Sequence, residues 1–269
     1  ALSSAASDVY KRQMKTQYKH LLQRTYLVLV FGFMYLPIAV LIAYSFNENK
    51  SRAVFTGFSL KWYASLFHNE MILSALGLSL VLAFVSAIIA TVLGTAASLG
   101  IASMSRKSRL LVTNITYIPV VNPEIITGIS LMLLFVAYQR FATQSAWLPD
   151  NIMGLPTLLI AHIAFNVPYV IFNVSPKLKQ LDIKLYEAAL DLGCDPRQAF
   201  FKVILPEISP AILSAFLICL TYSIDDFMIS YFNCGTVETL PIAIYSMTRK
   251  KVSPEIYALS TIMLSLIHI

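Results

Sequence analysis

Charge is scarce in this chain, and what it lacks narrows the field before any motif is considered. Only 13% of its 269 residues are charged while 57% are hydrophobic, and a mean hydropathy of +0.70 excludes an ordinary soluble domain. Cysteine is equally sparse: Cys194, Cys219 and Cys234 are odd in number and share no paired spacing, so neither a disulfide framework nor a thiolate metal site is expected. No Gly-rich phosphate loop of Walker type occurs, so ATP is not expected to bind here. His162 has no second histidine at metal spacing and reads as a packed or hydrogen-bonded helix residue. No Ala-x-Ala cleavage site follows the first apolar run, which is therefore expected to stay in the bilayer as an uncleaved anchor.

What remains is an all-α membrane protein with room for five or six spans of about 20 residues. Residues 1–23 are polar and read as a cytoplasmic tail. The opening and closing stretches resemble translated adapter sequence, so no function is placed on Lys11, Arg12 or His268. Span 1 covers about Tyr26 to Phe46 with Pro37 inside it, which a bilayer tolerates when neighbours satisfy the freed carbonyl. The following loop holds Trp62 and Tyr63, aromatics suited to an interfacial position. Span 2, about Met71 to Ala102, carries Ser86, Ala90, Gly94 and Ser98 four apart, a seam of small residues that lets another helix approach closely. Span 3, about Leu110 to Tyr138, is broken at Asn122-Pro123-Glu124, where Asn122 is placed to cap a second half-helix. Span 4 covers about Leu155 to Val174 and span 5 about Ser209 to Phe232. The segment after Pro254 is too short to cross a bilayer, so the chain is expected to stop inside a sixth span.

Positive charge supplies a topology. With the N-terminus inside, the tail, the turn at Arg106, Lys107 and Arg109, and the segment bearing Lys177, Lys179, Lys184, Arg197 and Lys202 hold thirteen of the twenty Lys and Arg residues. That bias favours a cytoplasmic N-terminus. The cluster Arg249-Lys250-Lys251 runs against it and reads as a solvated or partner-facing patch.

Between spans 4 and 5 lies the most informative stretch. Leu181, Leu185, Ala188, Ala189 and Leu192 recur at helical spacing, with Asp182, Lys184, Glu187 and Asp191 opposite, which predicts a short surface helix. Gly193 supplies the permissive backbone needed to leave it. Asp195 then reads as an N-cap, with Pro196 at the first helical position and Gln198 closing a capping box. A second short helix is expected, ended by Pro206 and Pro210. Glu187, Ala188, Ala189, Gly193, Leu205 and Pro206 at this spacing resemble the EAA loop of permease subunits of binding-protein-dependent ABC importers, with only Val203 standing where Ile is usual. The resemblance implies a type I, MetI-like transmembrane domain over residues 24–269, natively six-spanning, whose loop at 181–206 docks on a partner ATPase and carries its closure to the spans.

Three of the fourteen acids, Glu124, Asp225 and Asp226, fall inside apolar spans, where a carboxylate costs on the order of 3 kcal/mol and is usually kept for a pathway or an ion partner. No Lys or Arg lies at that depth. Their partner is expected from water, another subunit or a cationic substrate. Neighbouring helix residues diverge by about 100°, so Asp225 and Asp226 both line a pore only if its wall is broad; otherwise one faces it while the other bonds a neighbouring helix. Tyr222, three and four residues earlier, shares their face and adds a cation–π surface suited to ammonium groups.

Further stretches, Tyr35-Leu36-Pro37, Tyr44-Ser45-Phe46-Asn47, Leu60-Lys61-Trp62-Tyr63, Pro123-Glu124-Ile125, Ser223-Ile224-Asp225-Asp226, Leu240-Pro241, Ile244-Tyr245-Ser246-Met247 and Val252-Ser253-Pro254-Glu255, are similar to PotC-type permeases of spermidine/putrescine importers. That likeness implies a substrate pathway through Asp225, Asp226, Glu124, Trp62 and Tyr222, with Glu124 where relatives often carry Asp. It also implies a bacterial inner-membrane location. The implied partners are ATPase subunits holding ATP and magnesium, a second homologous permease, an extracytoplasmic polyamine-binding protein and membrane lipid. No catalytic residue, metal or nucleic acid is expected. The rival readings are a permease for another cationic amine or amino acid, and a proton-coupled secondary transporter, which would carry an internal repeat that this sequence does not display.

Overall fold

The computed structural model describes residues 2–50, 54–143, 152–250 and 254–268. Lys251 of the basic cluster and Val252 and Ser253 of the PotC-like pattern lie outside these residues. Five helical runs are long and apolar enough to cross a membrane: Lys19–Ser45, Glu70–Ser103, Glu124–Ala142, Leu155–Gln180 and Pro196–Asp225. They fall on the five full spans read from hydropathy. The chain divides into two compact units, one of Ala1–Asn69 with Lys250–Ile269 and one of Glu70–Arg249.

In the first unit, helix α1 (Leu2–Ser45) leads into a loop and the short α2 (Lys61–Phe67), and α12 (Glu255–His268) joins them. The stretch read as a polar tail is helical and continuous with span 1. Asn47 organises the loop. Its side chain donates to the Val54 carbonyl at 2.9 Å and accepts from the Thr56 amide at 2.9 Å, while its own carbonyl accepts the Trp62 indole N–H at 2.6 Å. Phe46 stacks on Phe58 at 5.0 Å, and Ser45 shares a hydrogen bond with the Tyr63 hydroxyl. Glu255 receives Ser65 Oγ and Asn69 Nδ2. Three separated stretches of the PotC-like pattern thus meet in one polar knot. Each buried polar group there has a partner, as burial without one costs about 1–3 kcal/mol.

The second unit is built on three long helices, α3 (Glu70–Ser103), α6 (Leu155–Gln180) and α9 (Leu205–Asp225). The small-residue seam of α3 is buried throughout: Ser86, Ala90, Gly94 and Ser98 are all covered. A Cβ on Gly94 would lie 2.5 Å from Val170 Cβ, so only glycine allows α6 this close. Ala87, Val170, Val174, Ile208, Ala215 and Cys219 form the apolar core where the three helices meet. Span 3 is two helices, α4 (Arg106–Val121) and α5 (Glu124–Ala142), because Pro123 forces Asn122 into extended geometry (ψ 142°). Asn122 does not cap α5: the N-cap position is Pro123, with no side-chain bond.

The loop between α6 and α9 begins as expected. Helix α7 (Ile183–Asp191) is capped by Asp182, Gly193 turns the chain at φ 87°, and Asp195 accepts the Gln198 amide at 2.7 Å to start α8 (Pro196–Ala199). The second arm differs from expectation, because Pro206 and Pro210 do not end it. A π-helical turn, Phe200–Ile204, runs from α8 straight into α9, with the Leu205 amide bonded to the Phe200 carbonyl five residues back. The wider turn makes room for the Pro206 ring, which would collide with the carbonyl of the preceding turn in a regular helix. Ser209 Oγ donates to the Pro206 carbonyl at 2.8 Å, replacing the N–H that Pro210 lacks. The run from Pro196 to Asp225 is one rod.

Span 5 differs at its other end as well. It stops at Asp225, and a short helix α10 (Met228–Asn233) restarts after Asp226 turns extended (ψ 118°). Helix α10 lies against the start of α5, where Gly128 lets the Met228 carbonyl approach to within 3.1 Å of a notional Cβ and its own carbonyl oxygen accepts from Asn233 Nδ2 at 3.1 Å. Helix α11 (Leu240–Lys250) follows, its first amide held by Ser79 Oγ at 2.7 Å.

Candidate functional site

The break after Asp225 is where the polar residues of the second unit gather. Asp226 is 6% exposed, and its carboxylate accepts the amides of Ile229 at 3.2 Å and Ser230 at 2.7 Å. Those are two of the orphan N–H groups at the start of α10, where a negative charge is favoured. His162 Nε2 stands 3.6 Å from Asp226 Oδ2 and 3.0 Å from Ser230 Oγ. Asn166, one turn on, donates to Ser223 Oγ at 2.8 Å, and Ser223 pairs with Ser86 at 3.2 Å. A polar line therefore crosses α3, α6 and α9 inside the apolar core and fixes the break.

Of the two arrangements expected for the aspartate pair, this is the one in which one acid bonds a neighbouring helix: among the described residues the partner of Asp226 is the next helix of the same chain, with a histidine beside it. The helical spacing from Tyr222 also ends at Asp225, so Asp226 no longer shares that face. His162 is buried and hydrogen-bonded, in keeping with its reading from sequence.

Asp225 and Glu124 behave oppositely. Both are exposed within this chain, neither has a Lys or Arg partner among the described residues, and the charges of Asp225 and Asp226 lie within electrostatic reach of Glu124. Packing of α10 on α5 brings the first residue of the half-helix toward the end of α9. Tyr222, 41% exposed, sits 4.8 Å from the ring of Tyr169 and 6.3 Å from that of Phe165. Tyr169 is in turn within electrostatic reach of Glu124. Two uncompensated carboxylates beside aromatic rings form a surface that attracts ammonium groups by charge and by cation–π interaction together.

Phe165 and Tyr169 were not singled out from sequence. Their four-residue spacing marks them as neighbours on α6, but only the register of α6 against α9 shows that they meet Tyr222. Trp62 belongs to the other unit. It is 4% exposed, with its N–H consumed by Asn47 and Lys61 Nζ over its ring at 4.6 Å. Expected at an interfacial position and on the substrate pathway, the indole is within this chain a buried residue of the Asn47 knot.

Most residues of the EAA-like loop are presented outward. Glu187 and Ala188 are exposed, as are Leu185 at 52% and Leu192 at 86%, while Ala189 faces inward. Most of the apolar stripe that predicted a surface helix is thus uncovered, flanking the Gly193 turn. Leu205 and Pro206 lie where the rod passes from π turn to α9. Lys177 Nζ pairs with Glu207 Oε1 at 2.9 Å, tying the end of α6 to the base of that rod. Among the described residues no group of three acidic, histidine or cysteine side chains is arranged to hold a metal.

Five apolar spans, a helix break lined by carboxylates and an outward loop rooted in the last span define a multi-pass, all-helical membrane protein. Residues 90–269 match the family described as binding-protein-dependent transport system inner membrane component. The chain is 41% identical over 246 residues to the putrescine transport system permease protein PotI of Escherichia coli (strain K12), covering 90% of this chain and 85% of that protein. It is 34% identical over 247 residues to the spermidine/putrescine transport system permease protein PotC of the same strain, covering 91% and 89%. Its fold is similar to a bacterial alginate ABC transporter in complex with alginate pentasaccharide-bound periplasmic protein, with a TM-score of 0.72, 18% identity, and coverage of 93% of this chain and 89% of that one. An amino acid ABC transporter with histidines aligns at a TM-score of 0.53 and 21% identity, over 76% of this chain and 92% of that one. The chain belongs to the inner-membrane components of binding-protein-dependent ABC transport systems.

Proposed function

We propose that this chain is the permease subunit of an ATP-driven importer for polyamines, putrescine and spermidine, and that it carries no catalytic residue of its own. The observation that carries the reading is the pair of exposed, unneutralised carboxylates, Asp225 and Glu124, beside Tyr222 and Tyr169. A carboxylate left unpaired at that depth is costly, and a di- or tri-cation passing through removes the cost while its own desolvation is offset. Similarity to PotI and PotC supports a polyamine as that cation. Asp226 and Trp62 serve the architecture around the pathway.

In this reading the N-terminus is cytoplasmic, and Glu187, Ala188, Ala189 and Gly193 present the loop to a partner ATPase holding ATP and magnesium. A second permease completes the passage, and an extracytoplasmic binding protein delivers the substrate. Closure of the ATPases displaces the loop. Because Pro196–Asp225 is one rod, that displacement reaches Asp225 without a hinge between, and the break at Asp226 lets α10 and α5 stay behind. Relative motion of Asp225 and Glu124 then alternately forms and opens the cation site.

Uptake of labelled putrescine and spermidine into cells lacking their own importers, with this chain expressed beside its partner subunits, tests the proposal. Asp225→Asn with Glu124→Gln should remove uptake while the complex still assembles. Full uptake by the double variant sinks the pathway, and a receptor that binds an amino acid in place of a polyamine sinks the substrate.

A further inference from the structure

A cavity of about 480 Å³ lies in the second unit between the C-terminal ends of α3 and α6 and one face of α4 from Arg109 to Val120. Of its lining residues, only Tyr169 belongs to the cation-attracting surface described above. Its apolar walls include Ile101, Val120, Phe172 and Leu178, with the Tyr117 and Phe172 rings 4.2 Å apart. Its polar lining is one-sided: Arg109, Lys179, Ser98, Thr113, Tyr117, Tyr169 and Ser175 are cations or hydroxyl donors, and no carboxylate reaches it.

Two polar atoms on this wall are buried without a hydrogen-bond partner, Arg109 Nε and Ser175 Oγ. Burying such groups unpaired is expensive, and the usual remedy is a ligand or water that accepts from them. Arg109 is meanwhile fixed in place, because its Nη2 donates to the carbonyls of Ala102 at 2.6 Å and Met104 at 3.0 Å at the end of α3. Lys177 is engaged by Glu207, whereas Lys179, two residues on, is exposed at the cavity and has no acidic partner among the described residues. On the α4 side no residue is buried, so this helix leaves the cavity wall lightly covered.

We propose that this cavity binds one anionic phospholipid, its phosphate received by Lys179 and the Arg109 guanidinium and its acyl chain held by the apolar wall. The volume is that of a ligand pocket. An anionic head with an apolar tail is the complement of a lining that offers cations and hydroxyls, no carboxylate, and apolar walls, and the bilayer around the helices is a reservoir of such molecules. Arg109 sits in the first turn of α4 and Lys179 in the last turn of α6, among the basic residues that place these ends at the cytoplasmic headgroup level, where basic pockets between spans recruit acidic lipid. The inference does not depend on which substrate the transporter carries.

Native mass spectrometry of the assembled transporter, with phosphatidylglycerol and phosphatidylcholine offered at equal concentration, tests it. The intact complex should retain phosphatidylglycerol selectively. Lys179→Glu, at an exposed position that leaves folding intact, should lower retention about tenfold or more, since reversal removes one attraction and adds a repulsion. Thr113→Trp, which fills the cavity, should lower it without altering charge. Equal retention of the two lipids overturns the proposal, as does retention untouched by both variants. If inorganic phosphate alone binds the delipidated complex and displaces phosphatidylglycerol, the occupant is a free anion and the lipid assignment fails.

Discussion

The two adjacent aspartates are expected to separate cleanly when each is neutralised. Asp226→Asn keeps the shape but turns one of two acceptor oxygens into a donor, facing either the Ile229 or the Ser230 amide. A hydrogen bond to a charged group contributes about 1.5–3 kcal/mol when buried, and the abandoned amide adds its own desolvation, so a loss of about 2–3 kcal/mol is expected. For a chain of this size each kcal/mol moves Tm by about 2–4 °C, which places the fall at roughly 4–12 °C. Asp225→Asn removes a charge that is exposed and bonded to no side chain, so its effect on stability should stay within about 0.5 kcal/mol. Its effect on transport should be the larger. A unit charge about 5 Å from an ammonium attracts it by about 3 kcal/mol at an effective dielectric of 20, and solvent exposure reduces this to about 1–2 kcal/mol, roughly tenfold in apparent affinity. Thermal unfolding of the purified complex followed by intrinsic fluorescence, beside concentration-dependent putrescine uptake, reads both quantities. Asp226→Asn with an unchanged Tm, or Asp225→Asn with unchanged apparent affinity, refutes the division of labour between the two.

Other substitutions probe other parts of the same frame. Gly94→Ala should destabilise by about 1–3 kcal/mol through overpacking, since its Cβ would lie 2.5 Å from Val170 Cβ; a lower Tm of the complex checks this. Leu192→Asp, at a position 86% exposed, should leave the chain folded but abolish co-purification of the ATPase and substrate-stimulated ATP hydrolysis. Trp62→Phe deletes the N–H bonded to Asn47 and should cost about 1 kcal/mol, lowering abundance while uptake per folded molecule holds. A drop in uptake per molecule would return the indole to the pathway.

Much of this architecture was legible because it rests on local chemistry. The span lengths, the proline break at Asn122-Pro123, the seam ending at Ser98, the Gly193 turn and the Asp195 cap each follow from a few neighbouring residues. The features that escaped depend on partners distant in sequence or on backbone adjustments no composition announces. Pro206 and Pro210 read as terminators because a regular helix rejects them, yet a π turn and the Ser209 hydroxyl absorb both. Which of Asp225 and Asp226 bonds a neighbouring helix stayed open, because the partners of Asp226 are backbone amides exposed only once α10 restarts. Phe165 and Tyr169 join Tyr222 only through the register of α6 against α9. Trp62 looked interfacial for its amphipathic ring, but Asn47 supplies it with a buried acceptor.

The account stands on a nucleotide-driven stroke carried by the rod from Pro196 to Asp225 into a cation site within the membrane. Proteoliposomes holding this chain with its partner subunits, loaded with ATP or with a pH gradient alone, measure that directly through accumulation of labelled putrescine. Accumulation that requires ATP and the ATPase subunit, and that stops with Leu192→Asp, is the predicted result. Accumulation driven by the proton gradient with the ATPase absent contradicts it.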